Sequence, residues 1–167
     1  MINPWLPERH RILEIIEETD MESTFVVEFN EPSIRHGQFF QISLPKIGEA
    51  PISVSNFTDS TIEFTIRKVG TLTNVLFNLH AGDDLYIRGP YGNGFPLEDF
   101  KGKHIVVIAG GTGVSPVRST LNHYLNNPQD CKDVYAIAGF RDAQHVLFEN
   151  DLTKWRNAPH FHTTLTL

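Results

Sequence analysis

From Arg11 to about Arg88 the apolar residues come in short groups broken by polar or turn-forming residues, which is the pattern of strands. Thr61-Ile62-Glu63-Phe64-Thr65-Ile66-Arg67 alternates strictly, placing Ile62, Phe64 and Ile66 on one face and Glu63, Thr65 and Arg67 on the other. Short strands also fit Ile12 to Glu17, Thr24 to Phe29, Phe39 to Leu44, Pro51 to Asn56 and Asp84 to Arg88. The breaks carry turn chemistry: Glu31-Pro32-Ser33, His36-Gly37, Pro45 to Gly48, Thr58 to Ser60 and Ala81-Gly82-Asp83. Six strands so spaced predict a small antiparallel barrel or sandwich. One segment departs from the pattern. In Gly70 to Leu79, residues Leu72, Val75, Leu76 and Leu79 fall at helical spacing behind Thr71 and Thr73, so a short helix is expected to plug one end of the barrel.

Gly89-Pro90-Tyr91-Gly92-Asn93-Gly94-Phe95-Pro96 is too rich in glycine and proline for a helix or a central strand. Beyond it the period changes. A strand from His104, a helix over Pro116 to Asn126, a strand over Val134 to Gly139, a helix over His145 to Trp155 and an alternating end at Phe161 to Leu167 make a βαβαβ unit with a parallel sheet. The run Ile105-Val106-Val107-Ile108-Ala109 is continuously apolar, as the buried central strand of such a sheet would be. The fold class is therefore all-β followed by α/β, an antiparallel barrel over residues 1–100 and a partial parallel unit over 101–167.

A chain of 167 residues with 40% hydrophobic content accommodates two such small domains. Its formal net charge of −6, without a basic run, argues against nucleic acid or an anionic membrane surface as partner. Any phosphate must be held by backbone amides and a few cations. The single cysteine, Cys131, cannot form an internal disulfide or by itself ligate an iron–sulfur cluster, and it reads as a plain thiol. The start MINPWLPERHRIL has no basic stretch followed by a long apolar one, and no apolar run approaches a membrane span, so a cytoplasmic location is expected.

Chemistry concentrates where Ile105 to Ala109 ends in Gly110, Gly111 and Gly113. Glycines there let the backbone turn sharply and approach a ligand. Pro116 presets a first helical turn whose unpaired N–H groups and positive dipole end face the loop, which makes an anion site. The third glycine of G-x-G-x-x-G is replaced by Pro116. A second phosphate site is suggested at Thr71 by its cationic neighbours Arg67 and Lys68. Ser115 is not in a G-x-S-x-G elbow, and nothing sets a histidine beside it. His160 and His162 share one strand face and read as solvated, and no metal site is expected. Arg141 and Asp142 follow the second strand of the α/β unit, where an acidic residue would favour a free ribose 2′-hydroxyl and a basic one a 2′-phosphate. The choice between NADH and NADPH stays open.

Taken in order, these motifs resemble the ferredoxin–NADP reductase superfamily along essentially the whole chain. The family's flavin motif R-x-Y-[ST] is matched by Ala50-Pro51-Ile52-Ser53, with Ser53 kept and Ala50 and Ile52 departing; the lost arginine removes a charge-assisted phosphate contact. The resemblance implies FAD on the barrel, held by Pro51, Ile52 and Ser53 at the ring, with Ser53 the residue nearest the chemistry. Arg67, Lys68, Val69, Gly70, Thr71 and Thr73 would lie at the flavin pyrophosphate. It implies NAD(P)H on Gly110, Gly111, Thr112, Gly113, Val114, Ser115 and Pro116, with GPYGNGFP joining the domains. Within the superfamily, GEAPISVS, RKVGTLTNVLF, GPYGNGFP and AGGTGVSPVRS are most similar to the anaerobic sulfite reductase B-subunit group, alongside dihydroorotate dehydrogenase electron-transfer subunits and sulfhydrogenase gamma subunits. That group implies electron transfer from NAD(P)H through FAD to a larger redox subunit in a hetero-oligomer. Its members continue with more sheet and a cysteine-rich segment for a [2Fe-2S] cluster, which this sequence does not encode, so a truncated copy or fragment is expected. Two alternatives are a non-catalytic flavin-binding or regulatory module and a free flavin reductase.

Overall fold

The alternating segments close on themselves. In the computed structural model, which describes residues 6–30 and 34–167, strands β1 (Glu8–Glu17), β2 (Glu22–Glu28), β3 (Phe39–Leu44), β4 (Gly48–Phe57), β5 (Thr61–Arg67) and β6 (Asp84–Tyr91) form an antiparallel barrel. The strand order is β1-β2-β5-β4-β3-β6. Inward positions follow the alternation: Ile62 and Phe64 of β5 are fully buried with Phe25, Phe40, Ile42 and Val54 from the neighbouring strands. Helix α1 (Thr71–Leu76) sets Leu76 into this core, as its spacing requires. The turn expected at Glu31-Pro32-Ser33 lies outside the described residues.

Gly89-Pro90-Tyr91 does not break the barrel but finishes β6, with Tyr91 opposite Phe39 across a register shift. Two features reconcile this with the composition. A Cβ at Gly89 would lie 2.6 Å from the Phe40 ring, so only glycine lets the strand pass there. The last residue of β6 paired with β1 is Ile87, so Pro90 lies past the last of those rungs, where its missing N–H removes no bond to β1.

The second half is a parallel sheet in the order β7-β8-β9, built from β7 (Ile105–Gly110), β8 (Val134–Gly139) and β9 (Phe161–Thr166). Helices α2 (Ser115–Asn126) and α3 (Glu149–Asn157) share one core with Ile105, Val134, Ala136 and Phe161. Both crossovers thus lie on one face. On the other face Val106 and Ile108 are 61% and 74% exposed and Tyr135 39%. Among the described residues, therefore, the run Ile105 to Ala109 is not at the centre of the sheet. β7 is one edge of the described sheet and β8 is its middle. The helix expected from His145 begins later, at Glu149. Asp142 caps a separate 3-10 turn over Ala143–His145, and Phe148 adopts a left-handed conformation (φ 58°), so Leu147 and Phe148 reach the core from a loop. Among the described residues no helix is long and apolar enough to cross a membrane.

The two halves touch directly. α2 lies along β4, and the turn before it packs on β5.

Candidate functional site

β4 carries the residues expected at a flavin ring. Ile52 and Val54 turn into the barrel, so alternation sends Pro51 and Ser53 outward, with Pro51 exposed and Ser53 half-buried. Two residues on, Ser55 is fully buried and its hydroxyl donates to the Glu63 carbonyl (3.1 Å). An arginine does lie in the outward row of Pro51, one position along from Ala50. Gln41 of β3 pairs with Pro51 on one side and with Arg88 on the other. Arg88 is spent locally, with Nη2 3.2 Å from the Glu49 carboxylate and Nη1 donating to the Tyr91 hydroxyl (2.9 Å).

At α1, Thr73 closes the first turn on itself. Its hydroxyl accepts from the Val69 and Gly70 N–H groups (2.9 Å each) and donates to the Gly70 carbonyl (3.1 Å). The next amides, of Thr71 and Leu72, have no acceptor within the helix and stand where an anion would be held. The flanking cations are partly engaged: Arg67 pairs with the buried Glu22 (3.5 Å), and Lys68 lies over the Phe77 ring (5.6 Å). Thr73 therefore shapes the turn, while Thr71, which is exposed, offers a hydroxyl.

The glycine loop has the form expected of it. β7 ends at Gly110, Gly111–Val114 makes a 3-10 turn with Gly111 at φ 51°, and α2 follows with Pro116 in its first turn and no acidic residue there. A Cβ built at Gly111 or Gly113 would meet nothing within 4 Å, so the loop's surface is open for close approach. Ser115 is 3% exposed and its hydroxyl is buried without a hydrogen-bond partner among the described residues, an orphaned donor at a helix N-terminus. Val114 instead points into the α/β core (1% exposed), so its backbone alone is available. These features fit a dinucleotide pyrophosphate. Farther along, the Asp142 carboxylate accepts from the Gln144 N–H (3.0 Å) and meets His145 Nδ1 (2.6 Å); the His145 hydrogen bond holds its pKa below the ordinary range. Arg141 is exposed and 4.0 Å from Asp142.

Three residues that sequence reasoning left aside tie the two halves together. Arg118, one helical turn beyond Ser115, bonds Glu63 of β5 through Nη1 (2.5 Å) and Asp151 of α3 through Nε (2.6 Å), and covers the Phe148 ring at 4.4 Å. Burial alone would depress the guanidinium pKa, but the two carboxylates more than offset it and raise it. Burial likewise works to raise Asp151, and Arg118 prevails and lowers it. The only sequence signal is weak: Glu63 sits on the polar face of a strand, where solvation is the ordinary expectation. A cleft of about 560 Å3 lies elsewhere, lined by His36, Phe95, Lys101, His123 and Asp130, and it includes neither Ser53 nor the glycine loop.

A six-stranded barrel joined to a parallel nucleotide-binding sheet is the two-domain architecture of flavin-dependent reductases. The chain has that fold: it superposes on ferredoxin-NADP+ reductase from Plasmodium falciparum with a TM-score of 0.78 over 96% of this chain and 70% of that one, at 18% identity. The family model for the oxidoreductase NAD-binding domain matches residues 107–166. Sulfhydrogenase 1 subunit gamma of Pyrococcus furiosus is 34% identical over 158 residues, 90% of this chain and 54% of that protein. A probable dihydroorotate dehydrogenase B (NAD(+)) electron transfer subunit of the same organism is 44% identical over 119 residues, 71% of this chain and 43% of that one. These matches together support the ferredoxin–NADP reductase superfamily for this chain. It spans about half the length of these curated relatives.

Proposed function

We propose that this chain is the flavin- and nicotinamide-binding part of an electron-transfer subunit, taking electrons from NAD(P)H through FAD to a larger redox partner. One observation carries the reading. The glycine turn packs on β5 and its helix on β4, so the open loop at Gly111 and Gly113 belongs to the same seam as the strand bearing Ser53.

In this reading the chain divides into a FAD-binding barrel over residues 1–100 and a nicotinamide-binding part over 101–167. Pro51, Ile52 and Ser53 position the flavin ring, and Ser53 offers a hydroxyl beside it. The Thr71 and Leu72 amides and the Thr71 hydroxyl hold the flavin pyrophosphate, with Arg67, Lys68, Val69, Gly70 and Thr73 framing the turn. Gly110, Gly111, Thr112, Gly113, Val114, Ser115 and Pro116 hold the nicotinamide dinucleotide, with Ser115 supplying its unpaired hydroxyl. The bound flavin supplies the hydride-accepting and electron-releasing chemistry, so the protein's task is to bind, orient and exclude water. Likeness to subunits of sulfhydrogenase and dihydroorotate dehydrogenase supports a partner subunit, and the motif combination favours a sulfite reductase assembly as that partner.

The test is spectroscopic. Protein incubated with FAD and desalted is expected to retain flavin absorbance and to bleach anaerobically in stopped flow on mixing with NADH or NADPH. A protein that retains neither FAD nor FMN overturns the proposal. Flavin retained without bleaching by either nucleotide overturns the reductase and favours a flavin-binding module.

A further inference from the structure

Arg118 is buried between groups that belong to different parts of the fold. Its side chain is 13% exposed, and its carboxylate partners Glu63 and Asp151 are 14% and 8%. Each partner is fixed in turn. Glu63 Oε1 accepts from the Asn56 side-chain amide of β4 (3.1 Å), three residues from Ser53 on the same strand. Asp151 Oδ2 also accepts from Asn122 (3.4 Å), whose Oδ1 accepts from Trp155 Nε1 in the α/β core (3.0 Å). Phe148, under the guanidinium, donates its backbone N–H to the Glu18 carboxylate in the β1–β2 turn (3.1 Å), and Glu18 is held by the Thr24 hydroxyl (2.8 Å). The chain of bonds therefore runs from the strand of Ser53, through Glu63 and Arg118, to the helix that starts at Ser115.

A charge triad of this kind is a poor device for stability alone, because desolvating three charges consumes most of what their attraction returns; its better-attested use is to fix one geometry among several. A planar guanidinium with donors on two edges suits that task, since it meets two carboxylates in defined directions, which an ammonium cannot do. We infer that Arg118 is a positioning residue: it latches the glycine turn 111–114 to β4 and β5 and so sets the approach of the bound nicotinamide to the flavin. The inference rests on the function proposed above, and it predicts that loosening the latch slows hydride transfer while leaving each cofactor's own site intact.

The experiment uses the full chain reconstituted with FAD and three variants, Glu63→Gln, Arg118→Lys and Arg118→Met. The first of these keeps the Asn56 contact and the side-chain shape while removing the charge. Flavin absorbance and FAD affinity are expected to stay within about twofold of the parent, and nucleotide affinity within about threefold. The limiting rate of flavin bleaching should fall at least about tenfold in Arg118→Met, with Arg118→Lys restoring it only in part. A second readout needs no cofactor. Amide hydrogen exchange over residues 111–115 and 148–152 should quicken in Glu63→Gln while strands β2 and β3 keep their protection. Unchanged bleaching rates in all three variants, or exchange that rises equally across the barrel, would overturn the latch. A parent protein that binds no flavin defeats the functional reading instead, and the exchange measurement then decides the latch alone.

Discussion

Gly113 has no unusual backbone requirement, yet a Cβ there would project into open space above the loop. Gly113→Ala therefore separates folding from binding. The methyl group meets no protein atom, and alanine narrows the unfolded ensemble, so stability should change by less than about 1 kcal/mol in either direction. A phosphate lying on the loop amides would meet that methyl, and NAD(P)H affinity measured by fluorescence titration should fall at least about tenfold, about 1.4 kcal/mol. Equal affinity in parent and variant would place the nucleotide elsewhere. Individual site residues were legible in the sequence where backbone chemistry defines them: the glycines and Pro116 announce a turn and a helix start whatever surrounds them. Glu63 and Arg118 were not legible. Their meaning lies in a contact between residues 55 apart, and the alternation of TIEFTIR correctly gives Glu63 an outward face without saying that α2 covers it.

At the scale of elements, α1 shows how a short helix is held. Six residues are too few for a helix to be stable by propagation, so its first turn depends on Thr73 collecting the Val69 and Gly70 amides. Thr73→Val keeps the β-branched shape and leaves those two donors unsatisfied, a loss of about 1–2 kcal/mol in a urea titration. The same substitution should weaken FAD retention, because the Thr71 and Leu72 amides would no longer be held in direction. Retention equal to the parent would detach α1 from the pyrophosphate. The barrel strands and α1 could be read from sequence because each obeys one period and turns at glycine, proline or aspartate. Where reading failed, tertiary packing decided the outcome. Residues 146–148 have apolar spacing that continues into α3, but Leu147 and Phe148 reach the core from a loop. The apolar run of β7 has one face under α2 and α3 and the other exposed, a difference that a run apolar on both faces cannot report.

At the scale of the molecule, the halves also meet at a second point, farther along α2 from the glycine turn. The half-buried His36 ring lies 4.9 Å from Phe57 and 5.3 Å from His123, and its Nδ1 is buried without a partner among the described residues. Burial, and secondarily the charge of His123, push its pKa down to about 4. Among the described residues, Asp130 and Glu98 line the same cleft as this pair, and Asp130 already faces His123 Nε2 (3.1 Å) and Lys101 (3.8 Å). In the unfolded chain the imidazole titrates near its ordinary value of about 6.5, so between about pH 6.5 and about pH 4 the unfolded state binds the extra proton. Stability should therefore be at its plateau with respect to this group above about pH 6.5, fall as the pH drops toward about 4, and show no further contribution below. Discounted for the ring's partial exposure, the loss is on the order of 2 kcal/mol. His36→Phe retains a ring against Phe57 and His123 and cannot protonate. Urea titrations across that window should show the parent losing stability faster, so that parent minus variant falls as the pH drops, while carboxylate titration common to both cancels in the difference. Parallel stability curves would show that this contact between the halves does not desolvate the His36 imidazole.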